Sequence, residues 1–211
     1  MAITISFQLQ PGPINYLPYG IDFPTGRAGR FSNGRNMVDI LADLLGFDNP
    51  IPSFATTSGL DILKGVNYAS GSSGIRDETG QHLGAGINMN NQLLNHQYIE
   101  SGIVNMSGDK ESATLYNYGA RKVVLFGLAP LGCTLPNMAI DGTNNGSSCV
   151  DFINRADREG FHQGGLARAE YLWWDGTHPT EAGNLMVARR SYSSQFPSDT
   201  YTIDMHGQAQ L

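Results

Sequence analysis

The chain predicts an α/β protein built around a layered sheet. Three observations carry that expectation. Met37, Ile40, Leu41, Leu44 and Leu45 fall at i, i+3, i+4, i+7 and i+8, the stripe of an amphipathic helix, with Gly46 as its stop. Arg121-Lys-Val-Val-Leu-Phe-Gly127-Leu128 is apolar without alternation after its two cations, as a parallel strand buried on both faces should be. Helix-like and strand-like segments also alternate along the chain, separated by glycine-rich turns.

Residues 11–35 are dominated by Pro, Gly, Asn, Asp and Arg and read as an extended loop. The first helix follows, with Ser32 or Asn33 as its expected cap. Lys64 to Ala69 reads as a short strand that runs into a flexible turn, Ser70-Gly71-Ser72-Ser73-Gly74. A second helix is expected over 88–105, with Met89, Leu93, Leu94, Tyr98 and Ile103 facing inward. A third ends near Tyr118 with Gly119 as its cap, ahead of the apolar strand, and a last one runs from about Thr180 to Ser193. Both polar loops, Ser70–Gly74 and Asp175–His178, follow a strand candidate, which puts them at the carboxyl edge of a sheet, where ligands bind in such folds.

Composition narrows the classes. With 211 residues the chain suffices for one domain and is short for two. An apolar content of 40%, with nine Phe and nine Tyr, excludes a wholly disordered protein. The net charge of -6 and the lack of a dense basic run argue against a nucleic-acid or anionic-membrane surface. The longest apolar run, around Val123 to Leu131, is too short to span a membrane. Met1 to Gln10 carries no basic region or cleavage signature of a secretory leader. Cys133 and Cys149 are compatible both with a short-range disulfide and with two separate thiols. His82, His96 and His162 lack metal-ligand spacing and a carboxylate partner in sequence, and no cofactor or metal is expected.

One motif carries chemistry. Asp175-Gly-Thr-His178-Pro-Thr180 follows the apolar run Tyr171-Leu172-Trp173-Trp174 and sets a carboxylate three residues ahead of an imidazole. A carboxylate so placed can fix an imidazole tautomer, and the imidazole can then take a proton from a nucleophile. Alone, Asp-x-x-His is a weak signal, equally served by a surface Asp accepting from a helix-start His.

Other segments strengthen it. Asn15 to Gly26, Gly29-Arg-Phe-Ser-Asn-Gly-Arg35, Leu63-Lys-Gly-Val-Asn-Tyr-Ala-Ser-Gly71, Leu115 to Gly127, Leu131-Gly-Cys133 and Asp175 to Asn184, in that order, resemble the plant GDSL esterase/lipase family of SGNH hydrolases. The resemblance implies a flavodoxin-like three-layer α/β/α sandwich with a parallel sheet. It also implies a single domain over 1–211, an activity on carboxylic esters of small-molecule or lipid type through an acyl-serine, and an extracellular setting. By the same resemblance Asp175 orients His178, His178 is the base, and Gly71 supplies an oxyanion-hole N–H.

Two of the family's blocks have no counterpart here. No Gly-Asp-Ser-Leu precedes Tyr16, so no nucleophile is identified, and no Gly-x-Asn-Asp lies between Lys110 and Leu115. Gly160 to Ala167 matches nothing in the family pattern, so the chain reads as a member with pieces missing near 1–15, 110–115 and 158–170. Gly142-Thr-Asn-Asn145 lies in the wrong place for the Asn block, and Ser107-Gly-Asp-Lys-Glu-Ser112 reads as a helix start. Ser70, Ser72 and Ser73, beside Gly71, read first as turn residues. Hence two expectations stand together: an esterase by family, and a catalytically silent, less cooperatively folded homologue in this exact chain.

Overall fold

The structure, a computed structural model, describes residues 3–4, 7–8, 14–26, 29–81, 86–107, 124–126, 168 and 171–211. In order these form β1 (Ile3–Thr4), β2 (Phe7–Gln8), α1 (Met37–Leu44), a 3-10 turn (Gly59–Lys64), β3 (Val66–Asn67), β4 (Ser70–Gly71), α2 (Met89–Ser107), α3 (Glu181–Tyr192) and α4 (Met205–Gln210). The expected helix ending at Tyr118, the cysteines, the Gly142–Asn145 turn and the segment around 158–167 lie outside the described residues. The chain divides into two compact units, Met1–Pro13 with Asn49–Val123, and Ile14–Asp48 with Val124–Leu211.

In the first unit the strand pairing among the described residues is parallel. Ile3 lies opposite Val66 and Thr4 opposite Asn67, while Phe7 lies opposite Ser70 and Gln8 opposite Gly71. The two pairs keep the same register offset. The first half of the expected turn, Ser70–Gly71, is therefore strand. Parallel pairing with helical connections defines a mixed α/β chain, while among the described residues the sheets are two-stranded only. The core packs Val66 and Tyr68 beside Ile62 of the 3-10 turn and Ile99 and Ile103 of α2, with Phe54 at its margin.

Helix α2 forms where expected but turns a different face inward. Leu93, Leu94 and Tyr98 are exposed, Tyr98 by 73%, whereas Gln92, His96, Ile99, Glu100 and Ile103 are buried. Apolar residues sit on both sides of this helix, so periodicity alone does not select the buried side. The polar side wins because it finds partners. The Gln92 amide donates to Ser73 Oγ at 3.2 Å and to the Ile87 carbonyl at 2.8 Å, and the Tyr68 hydroxyl meets His96 Nδ1 at 3.2 Å. A buried polar group costs little once its hydrogen bonds are made.

In the second unit, α1 uses the predicted stripe as far as Leu44, while Leu45 is the helix's exposed C-cap. Ile40 and Leu41 pack against Ala188 of α3, flanked by Met37, Leu44, Leu185, Tyr192 and Met205. The cap is Asn36, whose side chain accepts from the Asp39 N–H while Asp39 accepts from the Asn36 N–H, a reciprocal capping box. Ser32 and Asn33 are not caps, since a cap must directly precede the first helical residue; Asn33 instead donates to Asp22 Oδ2 and accepts from the Glu181 N–H. Gly46, at φ 82°, ends the helix as expected. Thr180 caps α3 through the Gly183 N–H.

Of the apolar run at 121–128 only 124–126 are described, and these depart from the expected strand. They have no regular structure, and Leu125 is 90% exposed. A run apolar on both faces is buried as strand only when strands pair on either side of it, and none of the four described strands pairs with this one.

Candidate active site

The loop carrying Asp175 and His178 belongs to the second unit. No strand precedes it among the described residues. The segment turns back on itself through a single antiparallel bridge between Trp173 and Pro179. The Trp174 N–H donates to the His178 carbonyl at 2.7 Å and the Thr180 N–H to the Leu172 carbonyl at 2.9 Å, closing the loop at its base. Thr180 locks it to the helix, its hydroxyl donating to the Tyr171 carbonyl at 2.5 Å. Beneath the loop, Trp174 is buried with Ile14, Tyr19 and Phe31. Full burial of such a side chain contributes roughly 2–3 kcal/mol.

This fold of the loop brings Asp175 and His178 together. His178 Nδ1 lies 2.7 Å from Asp175 Oδ2 and 2.9 Å from Oδ1. Oδ1 also accepts the backbone N–H groups of Thr177 and His178, both at 2.8 Å. Oδ2 accepts the Tyr19 hydroxyl at 2.7 Å. Burial alone would raise the Asp175 pKa. It is outweighed by the hydrogen bond and charge of His178, the Thr177 N–H and the Tyr19 hydroxyl, which hold the carboxyl well below the usual carboxylate range. An ionised carboxylate at Nδ1 places the imidazole proton there and leaves Nε2 as the basic nitrogen.

Nε2 of His178 is buried and makes no hydrogen bond among the described residues. The Phe31 ring stacks on the imidazole, centroids 4.7 Å apart and planes 25° from parallel. Phe31 in turn meets the Tyr19 ring edge-on at 6.2 Å. Tyr19 and Phe31 are site neighbours that the spacing of Asp175 and His178 did not reveal. Their only sequence signal is membership of the loop segments Asn15–Gly26 and Gly29–Arg35.

The loop bearing those aromatics is itself tied down. Arg168 grips Asp22 with two nitrogens, at 2.7 and 2.5 Å, and Asn33 joins the same carboxylate. Arg30 pairs with the buried Asp39 of α1, and Arg35 bridges Glu181 of α3.

Gly71 belongs to the first unit, in β4 opposite Gln8. Of its neighbours, Ser70 Oγ accepts the Ile87 N–H at 2.9 Å, and the Ser73 hydroxyl donates to the Ser70 carbonyl at 2.7 Å. Ser72 is buried with φ 61°, in the left-handed region that a non-glycine residue rarely adopts, and its hydroxyl has no partner among the described residues. The crowding is mutual: a Cβ at Gly80 would sit 1.6 Å from the Ser72 carbonyl oxygen.

A second acid–imidazole pair lies in the first unit. His96 Nε2 is 3.1 Å from Glu100 Oε1 one turn along α2, near enough for an ion pair though poorly aligned for a hydrogen bond. His96 thus does have a carboxylate partner, at i+4 on a helix, and it is buried. Among the described residues no group of three His, Cys, Asp or Glu is arranged to hold a metal ion, and no helix is long and apolar enough to cross a membrane.

With this site in place, relatives become informative. The chain is 32% identical to the GDSL esterase/lipase At1g29660 of Arabidopsis thaliana over 311 residues, spanning 93% of this chain and 85% of the relative. It is 33% identical to GDSL esterase/lipase At1g29670 of the same plant, with the same coverage. A shorter match, 35% identical over 188 residues, covers 68% of this chain and 53% of GDSL esterase/lipase At4g30140. No family model matches the chain, and no solved structure does. The chain belongs to the GDSL esterase/lipase family of plants. The aligned span of 311 residues exceeds the 211 of the whole chain, so the match is interrupted by segments that the relatives carry and this chain lacks.

Proposed function

We propose that Asp175 and His178 are the acid–base half of a GDSL-type site that hydrolyses carboxylic esters of small molecules or lipids. The observation that carries this reading is the division of labour on the imidazole: Nδ1 is held by an ionised carboxylate while Nε2 is unengaged among the described residues. In the reaction a serine hydroxyl gives its proton to Nε2 as its oxygen attacks the ester carbonyl carbon. Asp175 stabilises the imidazolium that forms, which then passes the proton to the departing alcohol. Water, activated in the same way, releases the acid from the acyl-serine. The Gly71 N–H is the proposed donor to the developing oxyanion, where a missing Cβ allows close approach. The fold proposed for the assembled site is a single-domain, three-layer α/β/α sandwich with a flavodoxin-like parallel sheet, in an extracellular setting like that of the family.

A second reading is favoured by a specific observation. The 211 residues contain no Gly-Asp-Ser-Leu, and among the described residues no hydroxyl reaches His178 Nε2. On this reading the chain by itself is a silent homologue. Removing a triad member leaves only residual catalysis, a loss of about 10⁴ to 10⁶ in rate. Hydrolysis of a short-chain chromogenic ester by the full chain, beside His178→Ala, separates the two. A rate well above that of His178→Ala supports the esterase; equal background rates leave the silent homologue.

A further inference from the structure

We infer that Tyr19 is a positioning residue for His178: its hydroxyl, acting through Asp175, fixes the imidazole and lowers its basicity. This deepens the acid–base role proposed for the pair and rests on that reading. Four contacts close a ring within the second unit. The Tyr19 hydroxyl donates to Asp175 Oδ2 at 2.7 Å, and the same oxygen takes His178 Nδ1 at 2.7 Å. The imidazole stacks on Phe31, and Phe31 meets the edge of Tyr19. Neither the carboxylate nor the imidazole can rotate without breaking a contact to the 19–31 loop.

The electrostatic consequence follows from sharing. One carboxylate oxygen serves two donors, so the charge it lends to an imidazolium is reduced by what it gives to the phenol. The phenol stays protonated to do this. Burial, then the hydrogen bond to Asp175 and the negative charge there, hold Tyr19 above its ordinary pKa, with a smaller contribution from Tyr16. Tyr16 and Asp175 are titratable groups that face Tyr19, and Asp175 is the charged group that faces His178. Oδ1 has its own backbone donors, so losing the Tyr19 hydroxyl leaves Asp175 ionised but more basic on the oxygen that faces His178.

The test is an NMR titration of the His178 ring in the full chain and in Tyr19→Phe, which keeps the ring and its edge contact with Phe31. The expected result is an upward shift of the His178 midpoint by roughly half to one pH unit. A change in the downfield Nδ1–H resonance should accompany it. A second variant carries fluorotyrosine at position 19 alone. Its stronger donor has nearly the same shape and should move the midpoint the other way. Midpoints that stay put in a folded Tyr19→Phe and in the fluorotyrosine protein overturn the inference. The ester assay is a separate readout: background hydrolysis with a moving midpoint removes the enzyme and keeps the Tyr19 role.

Discussion

Two buried acid–imidazole pairs occur among the described residues, and they are built differently. His96 and Glu100 lie one turn apart on α2, and Tyr68 takes the other ring nitrogen, so both imidazole nitrogens face partners. Asp175 and His178 lie on a loop, and there it is the carboxylate that is saturated, by two backbone N–H groups, a phenol and the ring. In the helical pair both imidazole nitrogens face a group, Nδ1 the Tyr68 hydroxyl and Nε2 the poorly aligned Glu100 carboxylate. In the loop pair one nitrogen remains basic and unengaged among the described residues. Beyond its first turn a helix cannot offer a side chain its backbone N–H groups, since those are spent on the helix. A turn can, and that is why an orienting carboxylate belongs on a loop.

The largest expected effect tests this contrast in stability. His96→Leu strips Glu100 of its imidazole inside the first unit's core and should cost about 3 kcal/mol or more. Adding Glu100→Leu should restore most of that loss, because replacing both members of a buried polar pair by apolar side chains of similar shape is often nearly neutral. His178→Leu should cost less, about 1–2 kcal/mol, since Asp175 keeps the Tyr19 hydroxyl and two backbone donors. Urea unfolding of the three variants measures the differences. Equal costs for His96→Leu and His178→Leu would break the comparison.

Acid should separate the pairs next. The folded-state pKa of Asp175 is depressed, so its contribution to stability is present above the ordinary carboxylate range and lost as pH falls through that range toward the folded value. The wild-type chain should lose on the order of 2 kcal/mol from this group on acidification, and Asp175→Asn should show a flatter stability–pH curve below about pH 4. Parallel curves for the two proteins would remove the carboxylate's special status.

What was legible in the sequence follows the same division. Local patterns were readable: the stripe from Met37 to Leu44, the extent of α2 and α3, and Asp-x-x-His, whose two members are joined within one turn. Features that depend on distant partners were not. Gln92, His96 and Glu100 face inward because Ser73 and Tyr68 supply hydrogen bonds, and nothing in the α2 sequence announces those partners. Tyr19 and Phe31 reach the site across more than a hundred residues of chain, with Tyr19 and Asp175 156 apart. The cap at Asn36 was local but hidden, as three candidate caps stand within five residues and only Asp39 decides among them.

The smallest effects compare two hydroxyls. Thr180 Oγ1 donates to the Tyr171 carbonyl and accepts the Gly183 N–H, so it closes the site loop and caps α3 at once, fully buried. Thr180→Ala leaves both groups without that partner and should cost about 1–2 kcal/mol. Ser101 Oγ donates to the Gln97 carbonyl at 2.9 Å on the exposed face of α2, where that carbonyl already has a helical donor. Ser101→Ala should therefore be neutral or stabilising by a few tenths of a kcal/mol, because alanine is the better helix former and the extra bond replaces nothing. Thermal melts of the two variants resolve the difference. If Ser101→Ala were as costly as Thr180→Ala, a hydroxyl's worth would not depend on whether the backbone around it is already satisfied, and the contrast between loop and helix would lose its physical basis.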